Sequence, residues 1–316
     1  MGRLKKRSKR KRRIKLFFLT FVLLVGVVIT YSIIQFNQGL SAAKKENTSS
    51  TTSNHQDFTG EEVKFGEIKV LLIGSDAREG EQGRSDTLMI GYYNQNTHDV
   101  KLVSLMRDIY VDIPGYGMNK LNAAYSFGGP ELLRQTIKQN FDTDINYYAT
   151  VDFNGFPKII DLIVPDGLNI DVAKRMSKNI GMTLEKGEQT LHGEELLGYV
   201  RFRKDSESDF GRVRRQQEVL SKLKDEAISI NSIVNLPKTM GVATGYVDTN
   251  ISNNTLFSIG KGLLTSNQDV ETLRLPVDGS FTNQRVNVGA VLDIDLDQNK
   301  QALKDFFSKE GNLAQE

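Results

Sequence analysis

Nineteen residues without a charge, Leu16 to Ile34, constrain this 316-residue chain more than any other stretch. At about 1.5 Å per residue, a helix of that length spans the hydrocarbon core of a bilayer. Residues 1–15 carry ten Lys or Arg and no acid. The positive-inside rule puts such a tail in the cytoplasm and everything after the span outside. A cleaved signal peptide is the competing reading, kept open by Leu40-Ser41-Ala42-Ala43. Its apolar core is usually shorter, with a small-residue site directly behind it. The expectation is therefore a single-pass type II membrane protein, with a cytoplasmic tail at 1–15 and an anchor at 16–36. A polar run, Asn47 to Asn54, marks a flexible linker at 37–64, and one extracellular domain takes 65–316.

The tail hides the charge of the body. Residues 16–316 hold 31 basic against 39 acidic side chains, so a nucleic-acid-binding body is not expected and the tail needs only anionic lipid. There is no cysteine, which excludes disulfides, thiol catalysis and cysteine metal sites. His55, His98 and His192 have no partner at triad or ligand spacing, so a Ser-His-Asp hydrolase and a His-rich zinc site are poor fits.

Ile68 to Ile73 reads as a strand running into Gly74-Ser75-Asp76. Thr87 to Tyr93 and Lys101 to Leu105 read as a hairpin, and Ile109 to Ile113 and Tyr147 to Asp152 as further strands. Helices are predicted after Pro130, over Phe153 to Ile163, over Glu194 to Gly198 and from Gly211 to about Ile228. Helices at 233–242, 254–264 and 298–307 and strands at 270–275 and 286–295 follow. Intermixed strands and helices predict an α/β fold, a mixed sheet sandwiched by helices in a single domain.

The stretch Tyr199 to Gln217, YVRFRKDSESDFGRVRRQQ, is the strongest candidate for a site. Read as extended, it places Arg201 and Arg203 on one face and Phe202 on the other. Asp209 is a good N-cap, and the helix behind it carries Arg212, Arg215 and Gln216 on one face. Several converging guanidinium forks need a strongly anionic guest and match phosphate oxygens bidentately. Ion pairs with Asp205, Glu207 and Asp209 are the bland alternative.

Three further clusters stand out. Asp76 and Asp86 flank a Gly-rich loop that contains Arg84, an arrangement suited to Mg2+ shared with phosphates, or to turn and cap formation. Arg107-Asp108 follows a strand directly and suits either a salt bridge or a place at the same sheet edge as Asp76. Lys120 and Asn122 alternate with apolar residues, a pattern that would allow both to point into one cleft.

Four runs occur in order: LLIGSDAREGEQGRSDTLMI, SLMRDIYVDIPG, NKLNAAYSFGG and YVRFRKDSESDFGRVRRQQ. Behind a short basic tail and a single span, over residues 66–230, they resemble the LytR-CpsA-Psr family of Gram-positive cell-envelope proteins. The resemblance implies a phosphotransferase. Such an enzyme moves an anionic glycopolymer, wall teichoic acid or capsule, from a polyprenyl pyrophosphate carrier to a peptidoglycan hydroxyl. It implies that Asp76 and Asp86 hold Mg2+, with Mn2+ as the alternative. Arg84, Arg107, Arg201, Arg203 and Arg212 would grip the pyrophosphate, with Gln216 and Lys120 in the same cleft; Asn122 and Arg215, from the residue pattern alone, are further candidates for substrate binding. The base that takes the acceptor's proton stays open among Asp76, Asp86 and Asp108. The family also holds the lipid tail in an apolar tunnel, for which Phe156 to Val164 and Val219 to Ile230 are candidate walls. A hydrolase of the same lipids and a non-enzymatic envelope regulator are the rival functions.

Overall fold

The computed structural model describes residues 30–41, 43, 58–76, 85–205, 207–227, 230–265 and 269–309. Two antiparallel turns of chain build the sheet centre: β1 (Glu67–Ser75) pairs with β2 (Ser85–Asn94), and β2 with β3 (Val100–Leu105). Strand β1 is apolar at both parities, the pattern of a strand covered on both faces. Its other edge takes β6 (Tyr147–Asp152) in parallel, and β6 takes β9 (Val247–Thr249). Strand β10 (Glu271–Leu275) closes the opposite edge parallel to β3, giving the order β10-β3-β2-β1-β6-β9. The mixed sheet is the expected one.

One sheet face packs normally. Leu71, Ile73, Leu88, Ile90, Val103 and Leu105 meet Leu133, Ile137 and Phe141 of α2 (Leu121–Phe141) and Leu303 of α8 (Leu296–Ser308). A hairpin of β4 (Tyr110–Ile113) and β5 (Gly117–Lys120) feeds α2. That helix starts nine residues before Pro130, and its backbone leaves helical geometry at Gly128 and Gly129.

The other face looks towards a second layer: α3 (Gly155–Ile163), the ribbon β7 (Leu168–Val172) with β8 (Gly187–Leu191), α4 (Gly193–Arg201) and α5 (Ser208–Ala227). These pack on one another through Ile160, Ile170, Leu196, Tyr199 and Val219. Asp152 starts α3 by accepting from the N–H of Asn154 at 3.1 Å and of Gly155 at 2.7 Å. Helix α5 is braced over the sheet by Gln217, whose Nε2 donates to Ser104 Oγ and to the Leu273 carbonyl, both at 3.0 Å. The chain then passes through α6 (Ile230–Tyr246), α7 (Asn253–Thr265) and the ribbon β11 (Phe281–Val286) with β12 (Gly289–Ile294). The strand expected at 286–295 is thus half of a separate hairpin.

Several expectations need correction. The segment around Arg201 is not extended: α4 runs through Arg201, and the chain becomes extended only at Phe202. Helix α5 begins at Ser208, so Asp209 lies in its first turn rather than capping it. Residues 30–41 form a helix, α1, so the expected linker begins helical. Glycines bring α1 and α6 backbone to backbone: a Cβ on Gly39 would lie 2.3 Å from the Lys238 carbonyl oxygen. The linker also ends early. Phe58 packs on Tyr148 with centroids 4.9 Å apart, and the Glu61 N–H donates to the Ile145 carbonyl at 3.0 Å. Residues 1–15 and most of the anchor expected at 16–36 lie outside the described residues. No helix among the described residues is long and apolar enough to cross a membrane.

The turn between α4 and α5 is held by a buried pair. The side chains of Arg215 and Asp205 are each 2% exposed and 3.0 Å apart, and Arg215 also donates to the Phe202 carbonyl. Burial alone would raise the Asp205 carboxyl. The Arg215 hydrogen bond and charge, with the Ser208 N–H, outweigh it and hold Asp205 below the usual carboxylate range. The pair's contribution is full above the unfolded pKa of about 3.9 and is lost as pH falls through the lower folded value. Arg215→Met is expected to cost about 3 kcal/mol in urea melts at pH 7. Arg214→Met, whose partner Glu207 is exposed like itself, should stay within ~0.5 kcal/mol. The Arg215→Met deficit should shrink as the medium is acidified.

Candidate active site

A cavity of about 870 Å3 separates the second layer from the sheet. Leu72, Met89, Ala149 and Val151 of the sheet form its floor. Phe156, Ile159, Ile160 and Ile163 of α3, Leu197 and Val200 of α4, and Val219, Leu220 and Leu223 of α5 form its walls. Both apolar segments singled out in the sequence therefore contribute to the lining, as far as residue 223. A void this large between well-packed layers costs stability unless something fills it.

Its mouth is charged. Strands β1 and β2 pair Gly74 with Thr87 and Ser75 with Ser85, so Asp86 is the extra residue of a β-bulge. Bulges re-aim side chains, and Asp86 and Thr87 both line the cavity. Arg107 leaves the end of β3 and reaches Asp86 with Nη1 at 2.6 Å and Asp209 with Nε at 3.1 Å. Arg203, beyond the end of α4, approaches Asp86 at 2.9 Å and Asp209 at 3.4 Å. Arg212, one turn into α5, stands 3.9 Å from Asp86 and 3.5 Å from Asp209. Three guanidinium groups thus surround one carboxylate oxygen, Asp86 Oδ1. Asp108 lies 3.4 Å from Arg107 and 2.7 Å from Lys120 Nζ. These four cations face three carboxylates, and Arg201 adds a further cation at the rim, its guanidinium 4.1 Å from the Phe153 ring centre.

Burial disfavours the charge on Arg107, but Asp209, Asp108 and Asp86 outweigh it and hold the guanidinium above its usual range. Arg212 is different. It is 3% exposed, and its Nε and Nη1 have no hydrogen-bond partner among the described residues. Buried donors without acceptors are costly, and these line a cavity wide enough to admit an anion. Gln216 is fixed beside them, its Nε2 donating to Thr87 Oγ1 at 2.8 Å.

Of the residues expected from sequence, Asp86, Arg107, Asp108, Arg201, Arg203, Arg212 and Gln216 come together in this lining. Lys120 reaches it only through Asp108. Asn122 does not line the cavity, because the alternation that would aim it inward stops where α2 begins; its backbone N–H donates to the Arg107 carbonyl at 3.2 Å. Arg215 is turned instead towards Asp205 and the Phe202 carbonyl, so its expected place at the site is corrected to a structural one. Arg84 lies outside the described residues. The acids of the bland alternative do pair, Asp205 with Arg215 and Glu207 with Arg214 away from the mouth, while Asp209 joins the cluster itself. Asp209 and Thr87 were missed. The spacing of Asp209 three residues before Arg212 was the available signal.

Asp76 is exposed at the end of β1, one residue past the Ser75–Ser85 pair that precedes Asp86. No group of three or more metal-ligating side chains occurs among the described residues. Mg2+ is usually held by one or two carboxylates together with phosphate and water, and not by a cage made by protein alone.

The chain belongs to the LytR_cpsA_psr family, whose pattern matches residues 30–305. It is 44% identical to regulatory protein MsrR of Staphylococcus aureus over 285 residues, 90% of this chain and 86% of that one. It is 33% identical to the polyisoprenyl-teichoic acid–peptidoglycan teichoic acid transferase TagU of Oceanobacillus iheyensis over 223 residues, 68% and 69% of the two chains. Among solved structures, TagT bound to LIIa-WTA superposes with a TM-score of 0.63 at 29% identity, covering 78% of this chain and 92% of TagT. TagT with bound octaprenyl pyrophosphate lipid gives 0.59 at 26% identity over the same shares.

Inorganic pyrophosphate is expected to raise the melting temperature of the protein by occupying the mouth. In Arg212→Met, which loses the orphaned donors, that rise should fall to a small fraction of the wild-type value; an equal rise in both proteins would show that pyrophosphate binds elsewhere.

Proposed function

We propose that this chain is a phosphotransferase that moves an anionic glycopolymer, of the wall teichoic acid or capsule kind, from a polyprenyl pyrophosphate carrier onto a peptidoglycan hydroxyl. It would act outside the cell behind an N-terminal membrane anchor, with its basic tail in the cytoplasm. The observation that carries this reading is the buried Arg212 with two unpartnered donors, at the charged mouth of an otherwise apolar cavity. The cavity suits a long hydrocarbon tail and its mouth a diphosphate. The named ligands of TagT and the name of TagU support the same assignment.

In the proposed reaction the acceptor hydroxyl oxygen attacks the sugar-proximal phosphorus. The bond from that phosphorus to the bridging oxygen breaks, a phosphodiester forms, and polyprenyl phosphate leaves. The hydroxyl proton passes to a carboxylate at the mouth. Phosphoryl transfer of this kind depends on positioning and charge stabilisation more than on covalent help from the protein. Arg107, Arg203 and Arg212 would move from Asp86 and Asp209 onto the diphosphate oxygens, and Gln216 would orient the same group. Asp76 and Asp86 would hold Mg2+, or Mn2+, which would offset the diphosphate's negative charge. Lys120 would keep Asp108 in place beside Arg107. Hydrolysis of the same lipids would use the same residues with water as acceptor. A regulatory role is the second reading, and the name of the 44%-identical MsrR favours it.

Incubating the full-length chain with a short lipid-pyrophosphate glycan, peptidoglycan oligomers and Mg2+ should give a phosphodiester-linked product identifiable by mass. Arg107→Ala and Arg203→Ala should each lower the rate by roughly 100-fold or more, and chelation should stop turnover until Mg2+ or Mn2+ is restored. Free glycan phosphate alone would favour hydrolysis. Bound lipid without turnover would favour the regulator.

A further inference from the structure

The sequence Ile113 to Asn119, IPGYGMN, carries no charge and forms the tip of the β4–β5 hairpin. Ile113 pairs with Gly117, and the Tyr116 N–H donates to the Ile113 carbonyl at 2.9 Å. Gly115 and Gly117 have φ of 79° and 72°, which L side chains rarely adopt. A Cβ at either position would meet nothing, so the turn geometry, not crowding, requires the glycines. That turn lifts Tyr116 into solvent, 56% exposed. Phe127, 41% exposed near the kink of α2, comes up beside it. Their rings stack with centroids 4.7 Å apart and planes at 18°. Met118, also exposed, extends the same hairpin surface.

Single exposed apolar residues need no explanation. Two rings from different elements, held parallel in solvent and outside both hydrophobic cores, make a preorganised flat surface. Its position is informative. Lys120 ends the same hairpin and grips Asp108 at 2.7 Å, and Asp108 lines the cavity mouth beside Arg107. Tyr116 stands four residues from Lys120, roughly 13 Å along a strand. Phe127 stands six residues from Leu121, about 9 Å along a helix. The aromatic pair thus lies on the hairpin that ends at Lys120 and on the helix that follows it, outside the site and within the reach of a few sugar rings.

We propose that Tyr116 and Phe127 form a sugar-stacking subsite that holds the acceptor glycan strand with its reactive hydroxyl over Arg107 and Asp108. The identity of the strand as acceptor rests on the transferase reading above. An anionic polymer would be drawn to the arginines and a lipid tail to the cavity; an uncharged aromatic shelf suits the C–H faces of pyranose rings. Tyrosine gives such a surface a rigid apolar body with one polar tip, at little conformational cost. Asn119 and Asn122 lie on either side of Lys120 in the sequence and carry amides suited to hydroxyl and acetamido groups, the Asn119 Oδ1 already accepting from the Lys120 N–H at 2.8 Å. The occupant proposed is the acceptor strand of the transferase reading, a β-1,4-linked N-acetylhexosamine chain.

The test is calorimetric titration of the full-length chain in detergent with a β-1,4-linked N-acetylglucosamine hexamer. Tyr116→Ala and Phe127→Ala should each weaken binding by roughly tenfold, while Tyr116→Phe should bind like wild type. The stabilisation by inorganic pyrophosphate should be the same in all three variants, since it reads the mouth and not the shelf. In transfer assays, Tyr116→Ala should raise KM for long acceptors far more than for a disaccharide. If the protein proves to catalyse no transfer but hexamer binding still depends on Tyr116, the subsite stands and only the transferase reading falls. Absence of hexamer binding to wild type, or binding as tight as wild type by both alanine variants, overturns the proposal. So does a finding that Tyr116→Ala abolishes self-association or vesicle binding while sparing the hexamer.

Discussion

Three guanidinium groups gathered around one carboxylate oxygen are the constraint on which the rest of this structure depends. Like charges at such distances repel strongly once water is partly excluded. Arg107, Arg203 and Arg212 can stand together only because Asp86 and Asp209 lie among them. Each comes from a different place in the chain: the end of β3, the segment after α4 and the first turns of α5. Bringing them together therefore fixes how the second layer sits over the sheet. Two acids meeting several arginines cannot satisfy every donor, and the shortfall falls on Arg212, the most buried of the three. A diphosphate would remove that shortfall.

The cavity beneath follows from the same arrangement. The sheet face towards α2 and α8 is filled by side chains, whereas the face towards α3, α4 and α5 is held apart from them. The helices pack on one another, and α5 reaches the sheet through Val213 and Phe210 at its start and through polar braces, Gln216 to Thr87 and Gln217 to Ser104 and Leu273. Arg215 and Asp205 stiffen the turn that delivers Arg203 to the mouth. An apolar space capped by cations is thus built into the layer structure, and the chemistry of its guest follows: hydrocarbon inside, phosphate at the rim.

Much of this was legible in the amino-acid sequence, and the exceptions have physical causes. Strands β1 to β3 and β6 were readable because apolar runs bounded by turn residues leave few alternatives. Arg203, Arg212 and Gln216 were readable because charged forks at such spacing need an anion. The burial of Arg215 was not. It lies three residues and about 60° around the helix from Arg212, and only the path of residues 202–205 decides that one faces the cavity and the other the turn. The bulge at Asp86 was equally hidden, since pairing register is a property of two strands. Residues around Arg201 alternate like a strand, yet α4 continues through Arg201 because Leu196, Tyr199 and Val200 bury a helical face. The exposed pair Tyr116 and Phe127 had no sequence signal, because an aromatic residue reads as core until its exposure is known.

The central claim is that one site reads hydrocarbon and diphosphate together. The most direct measurement is the affinity of the full-length chain in detergent for three lipids of equal chain length: polyprenyl pyrophosphate, polyprenyl monophosphate and polyprenol. The account predicts an order of pyrophosphate, monophosphate, alcohol, with the first and last differing by roughly 100-fold or more, and a much smaller difference in Arg212→Met. Equal affinity for all three lipids, or a gap untouched by the loss of Arg212, would contradict it.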